Sequence, residues 1–206
     1  MTKFLLSGDP GVKNFGVVIW NIATGECLLA TKLRHTVHDL KDDVQEQINN
    51  FLNEIDDLLE KAGFEEGDEV VLALERFISR GMRSSSTPEL IPLMIGALAT
   101  KADSTQLYIA ATWKGYVNRA LKVRGATLDI SAKTKAAYAA RGITRSLYKM
   151  WGRSLGGGAH ILDAALIGRH ALCELADFPR LETTSDFKQL YKDVLDALYL
   201  PRKKGR

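Results

Sequence analysis

At 206 residues, with 46% apolar and 26% charged side chains, the chain is sized for one globular domain with a sizeable core. No stretch approaches the twenty-odd apolar residues of a membrane span, and Asp9, Pro10 and Lys13 interrupt the first apolar run before it could act as a signal peptide. The net charge of +3 conceals a displacement: residues 1–75 sum to −9, residues 76–154 to +11 and residues 155–206 to +1. A basic region of that size, with 14 Lys and Arg against 3 acids, is the usual footprint of a nucleic-acid partner. Cys27 and Cys173 are too few and too far apart for a disulfide framework or a zinc site. They read as buried thiols in a reducing compartment, the cytoplasm or another compartment containing DNA.

Residues 3–9, 14–20 and 26–34 read as three strands of an antiparallel meander. The first is apolar and ends on Asp9, followed at once by the turn pair Pro10-Gly11. A hairpin whose turn happens to carry an aspartate is the plain reading of that stretch. Asp42 to Ala62 has apolar residues at helical spacing and Gly63 as a stop. Its acids, Glu54 and Asp43 among them, read as a solvated face. Val70 to Leu74 is a continuous apolar run ending on Glu75, the pattern of a strand buried on both faces of a parallel sheet. Two parallel neighbours that both end in a carboxylate would stand Asp9 and Glu75 side by side.

The segment after Glu75 carries Arg76, Phe77, Arg80 and Arg83 among Gly and Ser, and reads as a phosphate-binding loop. Thr87-Pro88 starts a helix predicted over 88–102, apolar nearly all round. It is either a central core helix or a helix between the sheet and a second subunit. A fifth strand is predicted over 106–111, then helices over 113–122, 131–141 and 143–151. In this basic stretch Lys114, Arg119, Lys122, Lys133 and Lys135 alternate with Trp113, Tyr116, Tyr138, Tyr148 and Trp151, which suits a phosphate-lined groove. The aromatics read individually as core. Gly156-Gly-Gly158 precedes a long helix, 159–177, with His160 and Asp163 three apart and so on one face. A last helix is predicted over 185–198, then a basic, disordered tail at 200–206; no linker divides the 206 residues.

Asp9, Glu75, His160 and Asp163 therefore form a candidate constellation. Clustered carboxylates repel unless cations neutralise them. Oxygen ligands with one imidazole suit Mg²⁺ or Mn²⁺. Two such ions, about 4 Å apart, can activate a water and stabilise a leaving oxygen in phosphodiester cleavage.

Gly8-Asp9-Pro10-Gly11 with Gly16, Leu74-Glu75 before a basic loop, and His160-Ile-Leu-Asp163-Ala-Ala-Leu166 together resemble the RuvC-type Holliday junction resolvases of the ribonuclease-H-like superfamily. The resemblance spans about residues 3–175. It implies an α/β fold with a five-stranded mixed sheet, three strands antiparallel and two parallel, and helices on both faces. It also implies a homodimer making paired, metal-dependent incisions in a four-way junction. Asp9, Glu75, His160 and Asp163 would be the metal site, Lys114 a basic residue beside it, and Phe77 a wedge against unstacked bases. Residues 113–155 are longer and more basic than in the bacterial enzymes, and residues 178–206 have no counterpart. Other classes stay open: a non-cleaving junction-binding protein of this fold, or a same-fold nuclease for flap DNA or RNA–DNA hybrid. An actin-like ATPase also opens with an Asp-bearing turn between strands, but needs a second similar domain that 206 residues cannot hold.

Overall fold

The structure, a computed structural model, describes residues 1–76, 87–110, 112–113, 160–182 and 184–199. Its centre is a sheet of five strands in the order β3-β2-β1-β4-β5. β1 (Lys3–Asp9), β2 (Gly16–Asn21) and β3 (Cys27–Lys32) form the antiparallel meander. β4 (Glu69–Glu75) lies parallel to β1, and β5 (Ser104–Tyr108) parallel to β4. Alternate residues of each strand face opposite sides. Phe4, Leu6, Val17, Ile19, Val70, Leu72 and Leu74 pack beneath α1 (Val44–Lys61) and α2 (Thr87–Ala99). Leu5, Val18, Trp20, Val71 and Ala73 face α3 (His160–Leu175), with α4 (Thr184–Asp196) beside it. The parity carries Asp9 and Glu75 to the α3 side.

Several elements differ from expectation. The strand register pairs Asp9 with Gly16, so β1 and β2 are joined by a six-residue loop, 10–15, and not by a tight Pro-Gly turn. Phe15 is buried and accepts from Leu33 N, Val12 O accepts from Thr36 Oγ1, and Asn14 Oδ1 accepts from Lys32 Nζ, which together hold the loop down. α2 ends at Ala99 and not at 102, because Lys101 N closes on Leu98 O and Asp103 then joins β4 through both its backbone N–H and its carboxylate. One side of α2 is buried (Leu90, Ile91, Met94, Leu98), and Leu93 and Ile95 are partly buried against the same core. β5 runs 104–108 and not 106–111: its partner β4 ends at Glu75, opposite Tyr108, and Thr112 N then turns back onto Ile109 O. The predicted helices over 113–122, 131–141 and 143–151 lie outside the described residues apart from Trp113, as does the tail 200–206.

Of the acids expected on the solvated face of α1, Asp43 is exposed but has a further role and Glu54 is buried. Asp43 caps the helix, accepting from Glu46 N at 3.0 Å. Glu54 is only 5% exposed. Its carboxylate accepts from Arg34 N, His35 N and Arg34 Nε, which satisfies a charge that would otherwise be costly to bury. Both cysteines are half-buried, not buried; burial among the α4 residues, with Asp193 nearby, pushes the Cys27 thiol up. Residues 184–199, without a counterpart in the sequence resemblance, close the outer edge of the meander. Tyr199 N donates to Ala30 O at 2.8 Å and Thr31 Oγ1 donates to Tyr199 O at 2.7 Å. Covering a free strand edge removes a template for aggregation.

Candidate active site

The site lies at the end of the sheet where β1 and β4 finish. Gly8 is level with Leu74, so the next residues, Asp9 and Glu75, stand on neighbouring parallel strands. Glu75 is in turn level with Tyr108, and Asp9 with Gly16. The row across the sheet is therefore Gly16, Asp9, Glu75, Tyr108. Burial pushes the Tyr108 phenol up, with the charge of Glu174 adding to it; its ring packs edge-on against His170 and its hydroxyl donates to Gln106.

α3 reaches this row because small residues let it. A Cβ at Gly16 would collide with the His160 carbonyl and come within 2.7 Å of Ile161 N. Eight residues further along α3, a Cβ at Gly168 would meet Trp20 Nε1 and lie 2.6 Å from Ser7 Oγ. Beneath it, Trp20 Nε1 donates to Ser7 Oγ at 2.9 Å and Ser7 Oγ donates to Val18 O, so the contact buries satisfied polar groups. The two glycines seat the helix on β1 and β2 at its start and near its middle, with Ala164, Ile167 and Ala171 fully buried between and beyond them.

The consequence is a direct bond. His160 Nδ1 donates to Asp9 Oδ2 at 2.5 Å. The carboxylate can only accept, so the proton sits on Nδ1, and a neutral ring then carries its lone pair at Nε2. Asp163, one turn further, is 7% exposed. It lies in the first turn of α3, where the helix dipole favours an anion. Glu75 Oε2 accepts from the indole Nε1 of Trp113 at 2.9 Å. The structure thus brings Asp9 and His160 into contact, stands Glu75 beside them and places Asp163 on the adjoining helical turn.

Among the described residues no three His, Cys, Asp or Glu side chains converge closely enough, as they stand, to hold a metal ion. The donor chemistry nonetheless fits a hard divalent cation: carboxylates from two strands and a helix, and an imidazole already donating its other N–H to a carboxylate. Of the expected nucleic-acid contacts, Arg76 is exposed next to Glu75, its backbone N–H donating to Tyr108 O at 2.7 Å. Phe77, Arg80, Arg83, Lys114, Arg119, Lys122, Lys133 and Lys135 lie outside the described residues. Trp113 is buried in the core, as its apolar surface suggests, yet its bond to Glu75 has no signal in the sequence beyond the position of a tryptophan just past a strand.

The sheet order, the strand directions and the helices on both faces are those of a ribonuclease-H-like fold. No protein-family model matches the chain, and no curated protein matches it by sequence. It is similar to Thermus thermophilus RuvC in complex with Holliday junction substrate, at 17% identity and TM-score 0.48 over 84% of this chain and 94% of that one. The Thermus thermophilus RuvC structure without that description gives 17% identity and TM-score 0.46 over 86% and 98%.

Proposed function

We propose that the chain is a structure-specific, divalent-metal-dependent endonuclease that resolves four-way junctions by paired phosphodiester hydrolysis. The observation that carries this reading is the pairing of strand ends: Asp9 and Glu75 on adjacent parallel strands, on the sheet face where α3 delivers His160 and Asp163. Nothing in a hairpin turn requires the second carboxylate or the helix seated on Gly16. Asp9, Glu75, His160 and Asp163 would hold one or two Mg²⁺ or Mn²⁺ ions. When bound, such ions supply an activated water and charge stabilisation at the leaving oxygen. His160 keeps a proton at Nδ1 and so orients Asp9, while Trp113 holds Glu75. Lys114, next in the chain after Trp113, is assigned to the charge developing on the phosphate. Arg76, Arg80, Arg83 and the basic residues from Arg119 to Lys135 would hold the arms of the junction, with Phe77 against unstacked bases.

One observation favours the rival reading, a junction-binding protein that does not cut: His160 and Asp9 are bonded to each other, and no described cluster is closed around a cation. One titration separates the two. Four-way junction, Y-shaped and linear duplex DNA, and an RNA–DNA hybrid, are compared with and without Mg²⁺ or Mn²⁺. Paired nicks confined to the four-way junction and dependent on the cation are expected. Tight binding without scission of any substrate would establish the rival, and scission of the hybrid or the Y-shaped DNA alone would redirect the substrate. Binding should also weaken steeply with salt, log K falling by roughly 0.9 per log unit for each phosphate contacted.

A homodimer through α2 is a separate part of the reading, supported by Leu93 and Ile95, apolar side chains that the core covers only in part. Light scattering at micromolar concentration is expected to return twice the mass of the 22.8 kDa chain, and a monomer mass would remove it. Among the described residues no helix is long and apolar enough to cross a membrane.

A further inference from the structure

We propose that Trp113 is a positioning residue that sets the Glu75 carboxylate, and not only a core side chain. The proposal rests on the reading of Glu75 as a cation ligand. Trp113 is fully buried among the side chains that face α3, and its indole N–H is a donor with no acceptor capacity. A buried indole N–H needs an acceptor, and the one it uses is a carboxylate at the reacting end of the sheet. Trp20 supplies the contrast. It is equally buried on the same face, but its N–H is satisfied by the core hydroxyl of Ser7 and not by a carboxylate. If packing alone were required at position 113, a leucine or phenylalanine would fill the space and leave no donor to satisfy.

The backbone delivers the indole over a short path. Arg76 N donates to Tyr108 O, which ties the residue after Glu75 to the end of β5. The chain then leaves the sheet, Thr112 N closes on Ile109 O at 2.8 Å, and Trp113 re-enters the core directly afterwards. Glu75 is the last residue of its strand, and its long side chain has several rotatable bonds to be fixed. Fixing one carboxylate oxygen at 2.9 Å selects one rotamer and orients the carboxylate plane.

Two measurements test this on the full chain. The sequence has three tryptophans, so a ¹⁵N–¹H correlation spectrum shows three indole signals, and the one missing in Trp113→Phe belongs to Trp113. Without any metal, Glu75→Gln is expected to shift that signal and leave the Trp20 signal in place. An unmoved signal overturns the proposal. Second, Trp113→Phe is expected to weaken Mn²⁺ binding, read by calorimetry, by about 10- to 100-fold, the usual cost of losing a group that orients a metal ligand. Cleavage by the variant should recover as Mn²⁺ is raised. An affinity within twofold of wild type in a folded Trp113→Phe protein overturns the proposal as well. If the wild type binds no Mn²⁺, the metal-site reading fails by itself, and the metal-free spectrum still decides whether Trp113 holds Glu75. Should Trp113→Phe not fold, the Glu75→Gln comparison, assigned with Trp20→Phe and Trp151→Phe, decides alone.

Discussion

Replacing Asp9 by Asn is expected to lower junction cleavage by about a thousandfold, because a cation ligand at the reacting phosphate is worth about 4 kcal/mol of transition-state stabilisation. Junction binding should stay essentially unchanged. The two quantities separate because different parts of the chain carry them. In the proposed function, binding would draw on the positive charge of residues 76–154, which the substitution leaves intact. Cleavage would draw on the row at the strand ends. The fold should survive, since the Asn side-chain oxygen can still accept from His160 Nδ1 in the place where Asp9 Oδ2 now does at 2.5 Å. The variant also loses one anion from a surface that must approach phosphates, so any change in affinity should be toward tighter binding. The measurements are single-turnover cleavage with Mn²⁺ and a binding titration in chelator. Cleavage near the wild-type rate would remove Asp9 from the site, whatever became of the rest of the constellation.

What could be read before the structure, and what could not, divides along physical lines. The strands were legible because their apolar runs are short and end in turn residues, and the parallel pairing of β1 and β4 was legible from two runs ending alike, at Asp9 and Glu75. α1 was legible from its period, but Glu54 was not. A carboxylate on the polar side of an amphipathic pattern looks solvated, and only the approach of the Arg34 and His35 amides makes it a buried, satisfied group. The loop 10–15 was misread for a similar reason. Pro-Gly is strong turn chemistry locally, but the register is decided by Phe15, which the core takes. Trp113 shows the limit most sharply. Its burial follows from its apolar surface, whereas its acceptor depends on where β5 ends, and the predicted end was three residues too late.

The seat of α3 offers the test that joins fold to site. Gly16→Ala places a methyl group against the His160 carbonyl and 2.7 Å from Ile161 N. These are backbone atoms at the start of a helix, so no side chain can rotate away, and the helix itself must lift. Overpacking of this kind costs about 1–3 kcal/mol, which lowers the melting midpoint of a chain this size by roughly 3–10 °C. The activity should fall further than the stability suggests. Lifting the first turn carries His160 and Asp163 away from Asp9, and a displacement of about 1 Å in a reacting constellation can cost on the order of a hundredfold in rate. Gly96→Ala gives the contrast on stability. Gly96 lies inside α2, its Cβ would meet nothing within 4 Å, and its φ is not positive. Alanine there should stabilise by about 0.5–1 kcal/mol through helix propensity. If Gly16→Ala behaved like Gly96→Ala, α3 would not be resting on β2, and the position of His160 beside Asp9 would need another cause. If instead Gly16→Ala lost stability but kept its cleavage rate, the helix would still be seated there, and His160 and Asp163 would have no part in the reaction.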